Sequence, residues 1–274
     1  MKKLLFVLAS ILLIVTGCSN KTSTPVEKTI KVGISGSDTR VWDFVKEKAK
    51  KEGINIEIVK FSDYIQPNLA LSNGEVDVNA FQTVAYFNSF KKDRNLDLTA
   101  IGTTVLAPLG LYSKKIKSVQ DLKNGDQIAV PNDTTNLGRG LILLEKAGLI
   151  KLKQGFDGKG GLENIVENPK NLKITPVAAG QTPRAMDDVA ASIINNGIAV
   201  DAGFNPSKDP IFREDQTAKP YINIIATQTK RKDDPTLKKL VAIYQTEEVA
   251  NFIKETYKGA QIPTSIPVKD IENL

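Results

Sequence analysis

Hydrophobic and polar positions follow two different periods at the start of the predicted globular part of the chain. In "KTIKVGIS" the apolar residues Ile30, Val32 and Ile34 occupy every second position, which predicts a strand. In "DTRVWDFVKEKAKKEG" the apolar spacing changes to three and four residues between Val41 and Ala49, which predicts a helix. A strand, a turn of small polar residues and a helix therefore open this part of the chain.

The same succession begins again at residue 128. "INIEIVKF", "EVDVNAF" and "LDLTAIGTTVLAPLGLYS", the last broken by Pro108, predict further strands of a first half. A second half follows with the strand "DQIAV", the helix "TNLGRGLILLEKAG" and the strands "LKITPVA" and "ASIIN". The strand "YINIIATQ" and a helical segment end the chain. Strands that alternate with helices predict an α/β fold with mostly parallel sheets.

Shorter patterns complete this outline. "YIQPNLALSNG" and "SVQDLKNG" each predict a short helix, and the glycine-rich run 155–161 predicts a mobile surface loop because no strand precedes it. In α/β proteins ligands bind beyond the carboxyl ends of the strands, at a topological switch point. With two analogous halves, we expect the ligand site in the cleft between them.

The N-terminal sequence "MKKLLFVLASILLIVTGCSN" has the features of a secretory signal. Its apolar run would span about 18 Å as a helix, against a hydrocarbon core of about 30 Å. "IVTGC" is typical of a bacterial lipobox, so we predict a signal peptide over residues 1–17 and lipid attachment at Cys18. Residues 18–29 are polar and predict a flexible tether. The alternative is a secreted protein with a free thiol.

Composition excludes several classes of function. The chain carries 37 Lys and Arg against 31 Asp and Glu, and its basic residues are dispersed, so we expect no nucleic-acid partner. It contains no histidine and a single cysteine, which excludes Ser–His–Asp and Cys–His catalysis, cysteine metal clusters and an intramolecular disulfide. No phosphate-binding loop is present. We therefore expect no enzyme, no metal site and no cofactor.

Five residues at the ends of predicted strands or on the helices that follow are candidates for a ligand site. They are Tyr64, Phe81, Tyr86, Arg139 and Asn195. Core packing is the alternative role for the three aromatic residues, and a turn position is the alternative for Asn195. Arg139 lies about 200° around its helix from the core residue Leu137, so its alternative is a solvent-facing charge.

The position of Arg139 favours an anion. It lies one turn into the predicted helix, where the helix dipole mildly disfavours a cation. A ligand carboxylate would remove this conflict, because a guanidinium binds carboxylates in a bidentate manner and the first N–H groups of a helix are free to bind anions. The polar turn 132–136 supplies those N–H groups.

Long stretches of the chain resemble the NlpA-type lipoproteins, which are the substrate-binding subunits of methionine-uptake ABC transporters. They are "FSDYIQPNLALSNGEVDVNAFQ", "SKKIKSVQDLKNGDQIAVPNDTTNLGRGLILLEKAGLIKLK", "VENPKNLKI" and "KPYINIIAT", and the similarity runs from about residue 30 to residue 260. The resemblance implies a type II periplasmic-binding-protein fold, in which two α/β domains joined by two crossing strands close over an amino acid. The crossings are expected near residues 104–113 and 221–228.

On this basis domain I comprises residues 30–110 and 222–274, and domain II comprises residues 111–221. The resemblance implies a monomeric protein, anchored by lipid on the extracytoplasmic face of the cell membrane. Such a protein captures methionine or a related amino acid and delivers it to the permease and ATPase subunits of an ABC importer. No catalysis is needed from the binding protein itself.

The family's ligand residues correspond to seven positions of this chain. They are Tyr64 in "DY", Phe81 and Thr83 in "FQT", the following aromatic Tyr86, Asn136 and Arg139 in "TNLGR", and Asn195 in "IIN". Thr83 replaces the family's histidine, and "NNGIAVDAGF" lacks the aromatic that usually follows the asparagine. We therefore expect Thr83 to set specificity. Methionine, a related apolar amino acid or a methionine-containing dipeptide is the expected ligand, with a non-transport surface lipoprotein or adhesin as the alternative.

Overall fold

The computed structural model describes residues 28–215 and 218–273, so Cys18 and the predicted signal peptide lie outside the described residues. The strands are β1 Lys28–Ser35, β2 Ile54–Phe61, β3 Val78–Asn79, β4 Leu98–Leu106, β5 Gly110–Tyr112, β6 Gln127–Pro131, β7 Lys151–Leu152, β8 Ile165–Glu167, β9 Lys173–Val177, β10 Ala191–Ile194, β11 Phe212–Arg213, β12 Ile222–Gln228 and β13 Ile262–Pro263. The α-helices are α1 Arg40–Lys51, α2 Gln66–Asn73, α3 Val84–Asp93, α4 Thr134–Lys146, α5 Thr182–Ala185, α6 Asn196–Asp201, α7 Pro235–Tyr244 and α8 Glu247–Tyr257.

Two sheets organise the described chain. The first has the strand order β13-β4-β12-β3-β1-β2, and the second has the order β11-β5-β10-β6-β9. The strands β7 and β8 pair separately. The chain leaves the first sheet between Leu106 and Gly110 and returns to it between Arg213 and Ile222. This is the α/β arrangement with two crossings that the resemblance implies.

Both sheets are mixed, so the expectation of mostly parallel sheets is wrong. Parallel pairing is confined to β2-β1-β3 and to β10-β6-β9. The strands next to the crossings, β4, β5, β11, β12 and β13, pair antiparallel. A strand that returns from the other half runs against its neighbours, whereas helical crossovers within one half keep strands parallel.

The predicted domain boundaries at 30–110, 111–221 and 222–274 stay a prediction. The chain passes from the first sheet to the second within four residues of the first boundary, and β12 of the first sheet begins at Ile222. At the N-terminal end β1 begins at Lys28, inside the last residues of the predicted tether.

The first core forms where the alternating face of β1 meets the helical stripe of α1. Val32 is fully buried, as are Val45 and Ala49 one helical turn apart. Phe44 lies at the edge of this stripe, and its ring stacks on that of Phe252 in α8 at 4.2 Å. Two different periodicities in the sequence thus converge on one buried interface, which fixes the face that β1 turns away from solvent.

The second core is built around α4, which is buried on almost all sides. The glycine-rich run 155–161 is a loop as predicted, but it packs against this helix: a Cβ at Gly138 would collide with the carbonyl oxygen of Gly158. The loop therefore covers the surface of α4 around Gly138 and Ile142. Arg139, on the same helix, is buried as well.

Short elements depart most from the predictions. The predicted helix in "SVQDLKNG" is a single 3-10 turn over Val119–Asp121. The two-residue strands β11 and β13 and the short helix α6 were not predicted, because they are too brief to display a hydrophobic period. β11 lies just before the chain returns to the first sheet, β13 pairs with the end of β4, and α6 contacts the other half.

Candidate functional site

Three aromatic rings from the first half lie together at the cleft. Tyr64 lies between β2 and α2, Phe81 follows β3, and Tyr86 is in the first turn of α3. The ring of Tyr64 is 5.7 Å from that of Phe81 and 6.0 Å from that of Tyr86, and the rings of Phe81 and Tyr86 are 6.3 Å apart. The sequence-based grouping of these residues therefore corresponds to an apolar, aromatic-walled surface.

The two phenols of this group are neutral at ordinary pH. Burial raises the pKa of Tyr64 well above its usual value, and the charge of Asp133 adds to the shift. Burial and then Asp133 raise the pKa of Tyr86 in the same way. The Tyr86 hydroxyl donates to the Tyr64 carbonyl at 3.0 Å, which links α3 to the loop before α2.

Phe81 is held by a buried amide cluster that the sequence did not reveal. Gln82 and Asn68 exchange hydrogen bonds of 2.7 and 2.8 Å through their side chains, and Asn79 donates to Asn68 at 2.8 Å. These side chains are fully or nearly fully buried. Mutually satisfied amides in a low-dielectric interior are rigid, so the segment 79–82 presents Phe81 from a fixed backbone.

Thr83 serves as the N-cap of α3. Its hydroxyl oxygen accepts a hydrogen bond from the Tyr86 backbone N–H at 3.2 Å, and the residue is only 9% exposed. Its backbone bridges to Asn223 on β12. The hydroxyl therefore has a structural partner already. A role of Thr83 in specificity stays a prediction, and Asn223 is a polar residue beside it that sequence reasoning missed.

The second half contributes a chain of amides at the start of α4. Asn195, which follows β10, donates through Nδ2 to Oδ1 of Asn136 at 2.8 Å. Asn136 donates through Nδ2 to both carboxylate oxygens of Asp133 at 3.0 Å, and its backbone N–H donates to the same carboxylate at 2.9 Å. Asp133 was not predicted, although an Asp immediately before a helix is a common N-cap signal.

Arg139 does not face solvent, so the solvent-facing alternative suggested by its helical spacing is wrong. The residue is 3% exposed. Its Nε donates to Glu214 at 3.0 Å, its Nη2 ion-pairs with the same carboxylate, and Nη2 also donates to the Ala107 carbonyl at 3.0 Å. The guanidinium lies 4.2 Å from the ring of Tyr221. An anion is present, as the dipole argument required, but it belongs to Glu214.

One edge of the Arg139 guanidinium is still open. Glu214 and Ala107 accept hydrogen bonds from Nε and Nη2. Within the described chain, no hydrogen bond uses Nη1. Glu214 is held in turn by the Leu109 backbone N–H at 3.1 Å. The pair is thus a fixed support that presents one remaining pair of N–H donors.

The two halves touch directly beside this site. The Asp201 carboxylate at the end of α6 accepts from the Ser37 backbone N–H at 3.0 Å and from the Ser37 hydroxyl at 2.6 Å. Gly36 precedes Ser37 with a φ of 97°, and a Cβ there would collide with the Asp201 carboxylate. A second contact joins Asn196 Nδ2 to the Ala260 carbonyl at 2.8 Å. Hydrogen bonds therefore close the halves over each other.

A groove of about 250 Å³ opens next to the aromatic group. Its walls come from the two halves, with Ile65, Tyr86 and Phe90 on one side and Asp133 and Thr134 on the other. A separate cavity of about 120 Å³ lies among Thr104, Tyr244 and Pro263, away from the predicted site residues. Of the predicted site residues, Tyr86 lines the groove between the halves.

Residues 28–215 and 218–273 contain no group of three or more Asp, Glu, His or Cys placed to hold a metal ion. No helix in the same ranges has the length and apolarity required to cross a bilayer.

The sequence and the fold of this chain are similar to those of known lipoproteins and binding proteins. Residues 30–265 match the model of the NlpA lipoprotein family. The chain is 44% identical over 254 residues to the D-methionine-binding lipoprotein MetQ of Escherichia coli K12, covering 91% of this chain and 93% of the relative. A nutrient-binding protein from Burkholderia cenocepacia, solved bound to methionine, is 45% identical with a TM-score of 0.83, covering 86% of this chain and 99% of that one.

A third relative adds the transport context. The periplasmic substrate-binding protein of an ABC transporter from Coxiella burnetii is 38% identical with a TM-score of 0.82, covering 86% of this chain and all of that one. Sequence and fold agree over nearly the whole described length. The chain belongs to the NlpA lipoprotein family.

Proposed function

We propose that this chain is a lipid-anchored solute-binding protein that captures methionine, or a closely related amino acid, and delivers it to an ABC importer. The observation that carries this proposal is the meeting of an aromatic group (Tyr64, Phe81 and Tyr86) with a buried arginine and an amide chain from the other half. Such a cleft offers an apolar wall for a thioether and polar groups for the ends of an amino acid.

Binding without chemical turnover is part of the proposal. We assign the ligand carboxylate to the open Nη1 edge of Arg139 and the N–H groups at the start of α4, and the side chain to the aromatic group. Thr83 supports the pocket through α3. The work of transport then falls to the permease and ATPase subunits, while the binding protein acts as a monomer that opens and closes.

Identification of the retained solute tests this function directly. Native mass spectrometry of protein purified without added ligand should show one bound amino acid, which is released on denaturation. A thermal-shift screen over both enantiomers of each amino acid and over short peptides should then single out methionine, because a ligand at 100 times its Kd stabilises the fold by about 2.7 kcal/mol. Stabilisation by no compound would favour a surface lipoprotein without a small ligand.

A methionine-containing dipeptide is a second candidate ligand. The groove beside Tyr86 favours it, since about 250 Å³ lies next to the aromatic group and would accommodate an additional residue. Calorimetric titration with methionine and with dipeptides that carry methionine at either end separates the two ligands. Tighter binding of a dipeptide would replace methionine in the proposal.

The lipid anchor has an independent test. We propose that Cys18, which lies outside the described residues, is acylated, because it ends the lipobox-like "IVTGC" and is the only cysteine in the sequence. Two acyl chains give stable anchoring where one would be marginal. Cys18→Ala should move the protein from the membrane fraction to the soluble fraction or leave it unprocessed, and undiminished lipid labelling of this variant would refute the assignment.

A further inference from the structure

The amide chain at the start of α4 has a direction. Asp133 accepts from the Asn136 side chain, and Asn136 accepts from the Asn195 side chain, with distances of 3.0 and 2.8 Å. The three residues come from two separate segments, since Asn195 is 59 positions beyond Asn136. They form a continuous hydrogen-bonded line that begins at a carboxylate and ends at an amide.

The carboxylate sets this direction. An ionised carboxylate only accepts hydrogen bonds, whereas the two ends of an asparagine amide have nearly the same shape and opposite polarity. Asn136 must therefore turn its NH₂ group to Asp133 and its oxygen to Asn195. Asn195 must therefore donate through its own NH₂ group, and its side-chain oxygen points away from Asn136.

That oxygen is buried and lacks a partner. Asn195 is 8% exposed, and among residues 28–215 and 218–273 no donor reaches its Oδ1. A buried acceptor without a donor is destabilising. Asn195 immediately precedes α6, whose residues Asn196 and Asp201 contact the other half, so this oxygen lies in the region where the halves close.

We infer that Asp133, acting through Asn136, fixes the Asn195 oxygen toward the ligand, so that the site requires a hydrogen-bond donor there: the ammonium of an amino acid or the N–H of a peptide. Asp133 is thus a positioning residue and a determinant of specificity. The inference rests on the proposed function and adds the polarity of one subsite to it.

The charges around the line agree with this polarity. Burial raises the pKa of Asp133 above its ordinary value, although the N–H groups of Asn136 and the positive charge of Arg139 lower it in part. The acceptor role of Asp133 follows from the hydrogen bonds themselves, because the Asn136 backbone N–H and side-chain NH₂ group both donate to its carboxylate. Arg139 supplies positive charge and Asp133 supplies negative charge within the same half. A zwitterionic ligand would be oriented by both, with its carboxylate toward Arg139 and its ammonium toward Asn195.

The test compares two probes on matched variants. Methionine and its des-amino analogue, 4-(methylthio)butanoic acid, share the side chain and carboxylate and differ at the ammonium. Asp133→Asn replaces the carboxylate, which only accepts hydrogen bonds, with an amide of the same shape. The side-chain amides of Asn136 and Asn195 are then free to take either orientation. Asp133→Ser keeps a cap for α4 but leaves the direction unfixed. Asp234→Asn makes the same chemical change at the N-cap of α7, away from the cleft.

In calorimetry, Asp133→Asn and Asp133→Ser should weaken methionine binding about tenfold or more, while binding of the des-amino analogue changes less than about twofold. Asp234→Asn should alter neither affinity. Equal weakening of both probes would show that Asp133 acts only as a helix cap. That result, or unchanged methionine binding in both variants, would overturn the inference but leave the proposed function standing. A parent protein that binds neither probe would overturn the proposed function and the inference with it.

Discussion

The Arg139 guanidinium and the Glu214 carboxylate form a buried ion pair that joins α4 to the segment leading out of the second sheet. Both side chains are almost fully buried, and each has a further backbone partner. Removing one member of such a pair leaves an uncompensated charge in the interior, which costs about 3–5 kcal/mol. The pair therefore supports the fold as well as the candidate site.

Arg139→Ala should consequently act on stability and on binding. We expect methionine affinity to fall by about ten- to over a hundredfold, since a charge-assisted hydrogen bond contributes about 1.5–3 kcal/mol. The unfolding free energy of the ligand-free protein should also fall by about 3 kcal/mol or more, as measured by urea denaturation. Glu214→Gln keeps an acceptor for the Leu109 N–H and is the milder control. An unchanged denaturation midpoint for Arg139→Ala would contradict the buried pair.

Substitutions of Thr83 should separate capping from specificity. Thr83→Ser keeps the hydroxyl that accepts from the Tyr86 N–H and should preserve stability. Thr83→Val keeps the shape, loses the cap and should lower the unfolding free energy by about 0.5–2 kcal/mol. If Thr83 also sets specificity and the native ligand is larger than methionine, Thr83→His should shift ligand preference toward free methionine in calorimetry. An unchanged ligand profile across all three variants would confine Thr83 to the helix cap.

The contact between Asp201 and Ser37 should govern how long ligand stays bound. Asp201→Asn removes the charge from hydrogen bonds that join the two halves, so the dissociation rate should rise about two- to tenfold. Release of labelled methionine into an excess of unlabelled ligand measures this rate. Asp187→Asn, at an exposed ion pair with Lys114 within the second half, is the matched control. Equal dissociation rates in the two variants would show that the contact does not hold the closed state.

Asp38 should contribute stability that depends on pH. Burial alone would raise the pKa of Asp38, but hydrogen bonds from Arg40 and Tyr257 outweigh it and hold the pKa below the ordinary value of 3.8. A lowered pKa means that the contribution is complete above the ordinary value and disappears as the pH falls through the lowered one. Asp38→Asn should therefore be about 1 kcal/mol less stable than the parent at pH 7. The two proteins should converge in acid, and a difference that persists there would exclude ionisation as its source.

The predictions from sequence succeeded where one local signal was enough. The alternation of Ile30, Val32 and Ile34 and the stripe along α1 each predict an element and its buried face, because strand and helix periods depend only on neighbours along the chain. The resemblance to a family added the overall topology and the candidate residues. The boundaries of the longer elements agree with the structure to within one or two residues.

The solvent-facing alternative for Arg139 failed because its environment is not local. Helical spacing places it opposite Leu137, but it cannot reveal that Glu214, 75 positions away, pairs with it or that Tyr221 lies beside its guanidinium. The role of Asp133 was missed for a related reason. Its capping function is visible in sequence, whereas its connection to Asn195 exists only after two strands bring their ends together.

The position of β12 in the first sheet has a consequence for how the chain folds. β12 lies between β3 and β4, although it is made more than a hundred residues after β4 ends. Until residues 222–228 arrive, β3 and β4 each lack a neighbour, so the N-terminal half cannot complete its sheet. Pairing over such a long sequence separation is intrinsically slow. A chain that emerges from its N-terminus would therefore stay unfinished until β12, which begins in about the last fifth of the sequence, has emerged.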